Sequence, residues 1–109
     1  MFELSYQTVT ILSGQTESNP VQLARSSLVG IRIPGTFTGT TISIMESDSQ
    51  NGTYQVVNPS GAGSTYPVTA SNTLAIPVNN SACCAWVKLK SDSSEGANRN
   101  LTIITRTVN

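Results

Sequence analysis

Short apolar runs that alternate with hydroxyl-bearing or charged residues recur along the whole chain. Clear examples are Leu4–Leu12, Leu28–Ile33, Thr41–Met45, Cys84–Lys90 and Leu101–Val108. A period of two residues sends successive side chains to opposite faces of a β-strand, so each run predicts a half-buried strand. No stretch of ten residues or more shows the i, i+3, i+4 apolar spacing of an amphipathic helix.

Strict alternation also predicts which side chains share a face. In the run that includes Leu28, it places Leu28 and Arg32 on one face and Ile31 and Ile33 on the other. In the last run, it places Leu101, Ile103 and Thr105 on one face and Thr102, Ile104 and Arg106 on the other. A half-buried sheet imposes such a pattern because a slip of one residue would turn every apolar side chain outward.

Turn signals separate the runs. The polar segment Ser47–Gly52 ends in Asn-Gly and predicts a hairpin with a return strand at Tyr54–Val57. Shorter strands are predicted at Val21–Leu23, Thr65–Thr69 and Thr73–Ile76. About eight or nine strands at this spacing indicate an all-β, antiparallel β-sandwich of jelly-roll or immunoglobulin-like type. We predict one such domain over residues 1–109, in which residues 1–6 form either the first strand or an N-terminal arm.

Composition narrows the classes of function. The 109 residues carry six basic and six acidic side chains, no histidine, 15 serines and 14 threonines. Without histidine there is no imidazole base or metal ligand, and a neutral chain lacks the cationic surface of a nucleic-acid or membrane binder. Residues 1–10 do not resemble a signal peptide. Weak electrostatic repulsion instead favours close association with other proteins.

Few residues of the sequence are candidates for catalysis or metal binding. Glu46 could pair with Asp92 or Glu95 as a carboxylate dyad, but nothing in the local sequence favours this arrangement. The oxygen-rich segment around Asp48 lacks the spacing of a calcium loop. Adjacent Cys83 and Cys84 lack the spacing of a metal or redox motif, and we expect free thiols on opposite faces of a strand. We therefore predict a non-enzymatic protein with no catalytic residue, cofactor or metal.

Aromatic residues are the candidates for binding nucleic acid or sugar. Trp86, Lys88 and Lys90 are predicted on one strand face, where they could form a small stacking platform. The six basic residues are otherwise dispersed, so we expect neither nucleic acid nor a membrane as partner. The residues that could contact a glycan are Tyr54, Tyr66, Phe37 and Trp86.

Several motifs in order resemble a family of small β-sandwich virion structural proteins of tailed bacteriophages, of the head decoration or cement type. The motifs are Leu28–Pro34, Phe37, Thr41–Ile44, Ser47–Tyr54, Trp86–Ser91 and Arg99–Arg106. They span most of the chain. The chain departs from the pattern at Ser49–Gly52, which replaces a shorter Asp-Gly turn, and at Lys90, where arginine is more usual.

The resemblance implies a structural component of the virion. Among its parts we predict a capsid decoration protein that bridges capsomers, with the major capsid protein or other virion proteins as partners. The resemblance also implies a location in the virion after assembly in the host bacterial cytoplasm, and we expect a homo-oligomer. The alternatives are a neck, tail or fibre component that binds host glycan, and a non-viral binding module. The predicted partner-interface residues are Met1, Phe2, Leu4, Tyr6 and Phe37, because apolar residues on a terminus or loop need burial.

Overall fold

A computed structural model of the chain describes residues 3–58, 65–81 and 83–107. Over these residues it has nine β-strands and one 3-10 helix, Val78–Ser81. The strands are β1 (Leu4–Ile11), β2 (Val21–Gln22), β3 (Ser26–Arg32), β4 (Thr41–Ser47), β5 (Gln55–Val56), β6 (Tyr66–Pro67), β7 (Thr73–Ala75), β8 (Trp86–Ser91) and β9 (Arg99–Thr107).

The strands form two antiparallel sheets. One has the order β1-β9-β3-β7, and the other has β2-β8-β4-β5 with β6 also paired to β4. The pairs β4 with β6, β3 with β7, β2 with β8 and β1 with β9 are nested, like one long hairpin that wraps around itself. This is the strand order of a jelly roll. The predicted all-β sandwich is confirmed, and the strand order selects the jelly-roll alternative.

The core lies between the two sheets and is almost entirely aliphatic. Alternation in β9 places Leu101 and Ile103 on one face, as predicted, and the structure shows that this face points inward with no exposed surface. The buried cluster consists of Val9, Ile11, Leu23, Leu28, Ile31, Ile33, Phe37, Ile42, Ile44, Ile76, Cys84, Val87, Leu89, Leu101 and Ile103. Burial of these side chains is the main source of stability in a domain with so few charges.

Strict alternation fails in β3. The register between β3 and β9 shifts between Leu28 and Gly30, as a β-bulge does. The extra residue lets Leu28 and Ile31 both point into the core, where neither has exposed surface. The prediction that Leu28 shares a face with Arg32 is therefore wrong.

Of the short strands that follow one another in the sequence, some pair in one sheet and others belong to different sheets. The predicted hairpin at Asn51-Gly52 is confirmed, because Met45 of β4 pairs with Val56 of β5. By contrast, β6 and β7 flank one turn but belong to different sheets. The strand predicted from Cys84 begins two residues later, at Trp86.

Within the described residues, the single helical segment is four residues long, far too short to cross a bilayer.

Candidate interaction surface

Strand β1 lies at the edge of the four-stranded sheet and pairs along its length with β9. Thr107 donates its backbone N–H to the Glu3 carbonyl at 2.9 Å. Bonded and non-bonded pairs alternate in an antiparallel ladder, so the odd-numbered residues of β1 bond to β9. The backbone N–H and C=O groups of Leu4, Tyr6, Thr8 and Thr10 therefore point to the free edge.

Asn19 closes one end of this free edge. Its side-chain oxygen accepts the Thr10 N–H at 2.8 Å, and its own N–H donates to the Thr10 carbonyl at 3.3 Å. Next to this contact, Ile11 forms an isolated bridge with Ser18. We call the remaining part, Leu4–Thr8, the open edge, because no described residue bonds to the outward backbone groups there.

The open edge is unusual among the edges in the described part of the chain. The other strands at sheet edges, β2, β5, β6 and β7, are two or three residues long, whereas β1 has eight. Proteins commonly keep edge strands short or place lysine or proline on them, because exposed backbone groups recruit other strands. The open edge contains neither residue.

Leu4 and Tyr6 project from the outer face of this edge. They are 55% and 53% exposed. The inward positions Val9 and Ile11 anchor the other end of the strand in the core, so the even-numbered side chains face outward. The Arg32 guanidinium carbon lies 5.1 Å from the centre of the Tyr6 ring. This cation–π contact holds the ring across the outer face of the sheet.

The inner side of the open edge is also uncovered. Ser5 and Gln7 point to the same side as Val9 but are exposed, so the second sheet does not extend over them. Five successive residues are thus accessible to a partner from both faces and from the edge.

The predicted interface residues also included Met1, Phe2 and Phe37. Met1 and Phe2 fall outside the described residues. Phe37 is only 6% exposed and belongs to the core instead of to this surface. Its loop is folded inward because Thr38 bonds to the carboxylate of Glu95, and Thr40 to that of Asp92.

A second surface lies on the outer face of the other sheet. Trp86, Lys88 and Lys90 share this face, as predicted, while the residues between them are buried. The Lys88 ammonium lies 4.6 Å from the centre of the Tyr54 ring and 3.6 Å from the Glu17 carboxylate. Burial raises the pKa of the Tyr54 hydroxyl. The Tyr66 hydroxyl, another predicted glycan contact, accepts a hydrogen bond from Asn80 at 2.8 Å.

Asp92 and Glu95, two of the three carboxylates considered for catalysis, accept hydrogen bonds from neighbouring side chains. Hydrogen bonds from Thr40 lower the pKa of Asp92. Burial alone would raise the pKa of Glu95, but hydrogen bonds from Arg99 and Thr38 outweigh it and lower the pKa. Among the described residues, no group of three or more Cys, Asp or Glu side chains converges to hold a metal ion.

The two cysteines are free thiols with their sulfur atoms 3.8 Å apart. Cys83 is exposed and Cys84 is buried, as the prediction of one outward and one inward thiol requires. They lie in a turn before β8 and not on a strand. Burial, and then the neighbouring Cys83 thiol, raise the pKa of Cys84 to about 12.

Comparison with solved structures supports the fold. No protein-family model and no curated protein matches the sequence. The crystal structure of the SPBc2 prophage-derived protein YomS is similar, with a TM-score of 0.59 and 15% identity over 96% of each chain. The Yersinia pseudotuberculosis-derived mitogen aligns over 100% of this chain and 88% of its own, at a TM-score of 0.44 and 16% identity.

A chain of the cyanophage Pam1 capsid asymmetric unit aligns over 98% of this chain and 85% of its own, at a TM-score of 0.33 and 12% identity. At such identities the similarity to the prophage-derived protein establishes the fold alone. The two looser alignments support no argument about this chain.

Proposed function

We propose that this chain is a non-enzymatic structural protein of a phage virion, and that it acts as a capsid decoration or cement protein that bridges capsomers. The observation that carries the proposal is the open edge of β1 with its exposed Leu4 and Tyr6. An edge with unused backbone groups and accessible apolar side chains is suited to protein contacts. The sequence resemblance to virion proteins and the fold shared with a prophage-derived protein support the same assignment.

The physical mechanism is the addition of many moderate contacts. A standard protein interface buries roughly 800 Å² on each partner. One copy that touches two neighbouring capsomers opposes their separation, and repetition over a shell supplies avidity without any very tight single contact. The absence of net charge removes long-range repulsion between copies packed on a lattice. The proposed partners are the major capsid protein or other virion proteins, and the proposed location is the virion, after synthesis in the host bacterial cytoplasm.

The first test measures the copy number of the chain in purified particles by quantitative mass spectrometry. Cryo-electron microscopy then locates the chain in the particle. A decoration protein is expected in a fixed ratio to the capsid protein and on the outside of the shell. Its absence from the particles would overturn the proposal.

The second test assigns the contact to the open edge. Shells that lack the protein are incubated with the wild-type chain, a Leu4→Ser/Tyr6→Ser variant and a Leu12→Ser control. Leu12 has similar exposure, 56%, but lies beyond the open edge. We expect the double variant to bind about tenfold or more weakly and the control to bind normally, because apolar anchors dominate interface energies. Equal binding by all three would exclude this surface.

The face formed by Trp86, Lys88 and Tyr54 supports a second candidate, a neck, tail or fibre component that binds host glycan. Aromatic rings beside an ammonium group suit the flat face and hydroxyls of a sugar. This candidate predicts few copies per particle and glycan binding that a Trp86→Ala variant loses. Hundreds of copies per particle would exclude it.

A further inference from the structure

The open edge of β1 is complementary to itself, and we propose that it pairs with the same edge of a second copy of this chain. Leu4, Tyr6 and Thr8 present unused N–H and C=O groups at alternate positions. When two such strands run antiparallel about a two-fold axis at Tyr6, Leu4 of each copy lies opposite Thr8 of the other. Three pairs form, each with two hydrogen bonds. Four strands from each copy then make one continuous sheet.

Asn19 selects this register. Because Asn19 already bonds to both backbone groups of Thr10, an added strand cannot continue past Thr8. A shift of two residues in one direction would place Leu4 opposite the blocked Thr10. A shift in the other direction would leave Thr8 without a partner among the described residues. The register centred on Tyr6 is the one that uses every open position of both copies.

The charge pattern favours a second copy over a charged partner strand. In a symmetric antiparallel pair, a charge near the axis lies close to the same charge of the other copy, which is destabilising. Strand β1, with the sequence LSYQTVTI, has no charged residue. Two copies of this strand therefore place no like charges opposite each other. The exposed residues Ser5 and Gln7 leave room for the added strand on the inner side as well.

Pairing would also change the outer face of the sheet. It brings the two Tyr6 rings, each held by its own Arg32, to opposite sides of the axis, with both Leu4 side chains on the same face. The dimer then presents twice the apolar surface of one copy and has two equivalent halves that could engage two capsomers. This use of the dimer rests on the proposed function, whereas the pairing itself is a property of the isolated protein.

Sedimentation of the full chain, over concentrations reaching about 1 mM, measures the pairing. The decisive variant is Thr8→Pro, which removes an outward N–H without removing a bond to β9, and proline is tolerated on the open side of an edge strand. Thr8→Ala is the control, because it loses the same side chain and keeps the N–H. We expect a dimer for the wild type and the control, and a dissociation constant raised about tenfold or more by proline.

Amide hydrogen exchange on the wild-type protein tests the register without a mutation. In the dimer, the amides of Leu4, Tyr6 and Thr8 are protected, and dilution to the monomer exposes them. The Thr10 amide, bonded to Asn19, stays protected at every concentration and serves as the internal reference. Concentration-dependent protection at these three positions is the expected result.

A wild-type chain that is monomeric at the highest concentration, or whose dimer is unaffected by Thr8→Pro, would overturn the inference. Dimerisation of a chain that is absent from virions would overturn the proposed function and leave the inference standing. Failure of the two proposals is therefore distinguishable.

Discussion

Glu95 and Arg99 form an ion pair at 2.9 Å, although the Glu95 side chain is completely shielded from solvent. The same carboxylate accepts the backbone N–H and the hydroxyl of Thr38, at 3.1 and 2.9 Å. The Glu95 backbone bonds to Gly14 and Gln15. One residue thus joins three loops at one end of the sandwich and holds down the loop that carries Phe37.

Glu95→Ala should lower the free energy of unfolding by about 3 kcal/mol, because removal of one partner leaves a mostly buried Arg99 guanidinium without its carboxylate. The measurement is urea denaturation followed by tryptophan fluorescence. Glu17→Gln is the matched control, since Glu17 pairs with Lys88 at the surface and its loss should change stability by under about 0.5 kcal/mol. Equal effects of the two substitutions would contradict the structural role of Glu95.

Acid should lower the stability of the folded protein by protonating the Glu95 carboxylate. The pKa of Glu95 is lower in the folded chain than its ordinary value of about 4.3. The unfolded chain therefore takes up this proton first, so the stabilisation is complete above about pH 4.3 and is lost as the pH falls through the folded value. Thermal melting between about pH 2 and 7 should show a smaller decrease for Glu95→Gln than for the wild type. Parallel pH profiles would count against this assignment.

The Ser81 hydroxyl should stabilise the bulge in β3. Its hydroxyl accepts the Leu28 N–H at 2.8 Å and lies 3.3 Å from the Leu28 carbonyl, and Ser81 is 1% exposed. Ser81→Ala leaves both backbone groups buried without this partner and should cost about 2 kcal/mol in chemical denaturation. Ser94→Ala, at an exposed loop position, is expected to be nearly neutral. A neutral Ser81→Ala variant would show that the bulge does not need the hydroxyl.

Asn19 should protect the Thr10 amide. In an Asn19→Ala variant this amide loses its acceptor, so its hydrogen exchange should accelerate and stability should fall by about 1 kcal/mol. An Asn19→Asp variant keeps an acceptor oxygen and should retain most of the protection. Nuclear magnetic resonance at a concentration below dimer formation makes the comparison. Unchanged exchange in Asn19→Ala would mean that the side chain does not close the edge.

The two thiols should differ in reactivity. Alkylation requires an accessible thiolate, and the pKa of Cys84, raised to about 12 chiefly by burial, leaves very little thiolate near neutral pH. Iodoacetamide should modify exposed Cys83 in the folded protein and reach Cys84 only after unfolding. Peptide mass spectrometry with and without denaturant measures both sites. Labelling of Cys84 at the rate of Cys83 in the folded chain would be the contrary outcome.

The longer strands were predictable from the sequence because each buries one face. In β9, Leu101 and Ile103 carry the period of two that burial on one side requires, and the strand was located to within two residues. The two-residue strands β2, β5 and β6 were each predicted as a longer segment, because two residues are too short to carry a period of two. The bulge at Leu28 shifts the period by one residue, and its hydroxyl partner Ser81 lies 53 positions away.

The candidate surface was predictable only in part. An apolar N-terminal segment pointed to Leu4 and Tyr6, whose exposure the structure shows directly. The open backbone groups depend on the pairing of β1 with β9, about 100 residues apart, which local patterns do not reveal. Burial of Phe37 depends on the bond between Thr38 and Glu95, 57 positions apart. Whether an aromatic residue lies in the core or at the surface therefore depends on long-range contacts of this kind.

The nested pairing of β1 with β9 also determines how the chain would respond to mechanical load. The Glu3 carbonyl and the Thr107 amide are bonded at 2.9 Å, so the start of β1 and the end of β9 lie together at one end of the ladder. Tension applied between residues 3 and 107 would open the hydrogen bonds of the ladder one after another, like a zipper, with little resistance. Tension that enters along β1 through a bound neighbour would strain the whole ladder in shear, with many bonds sharing the load. The same domain is therefore weak when pulled by its ends and strong when pulled by its edge.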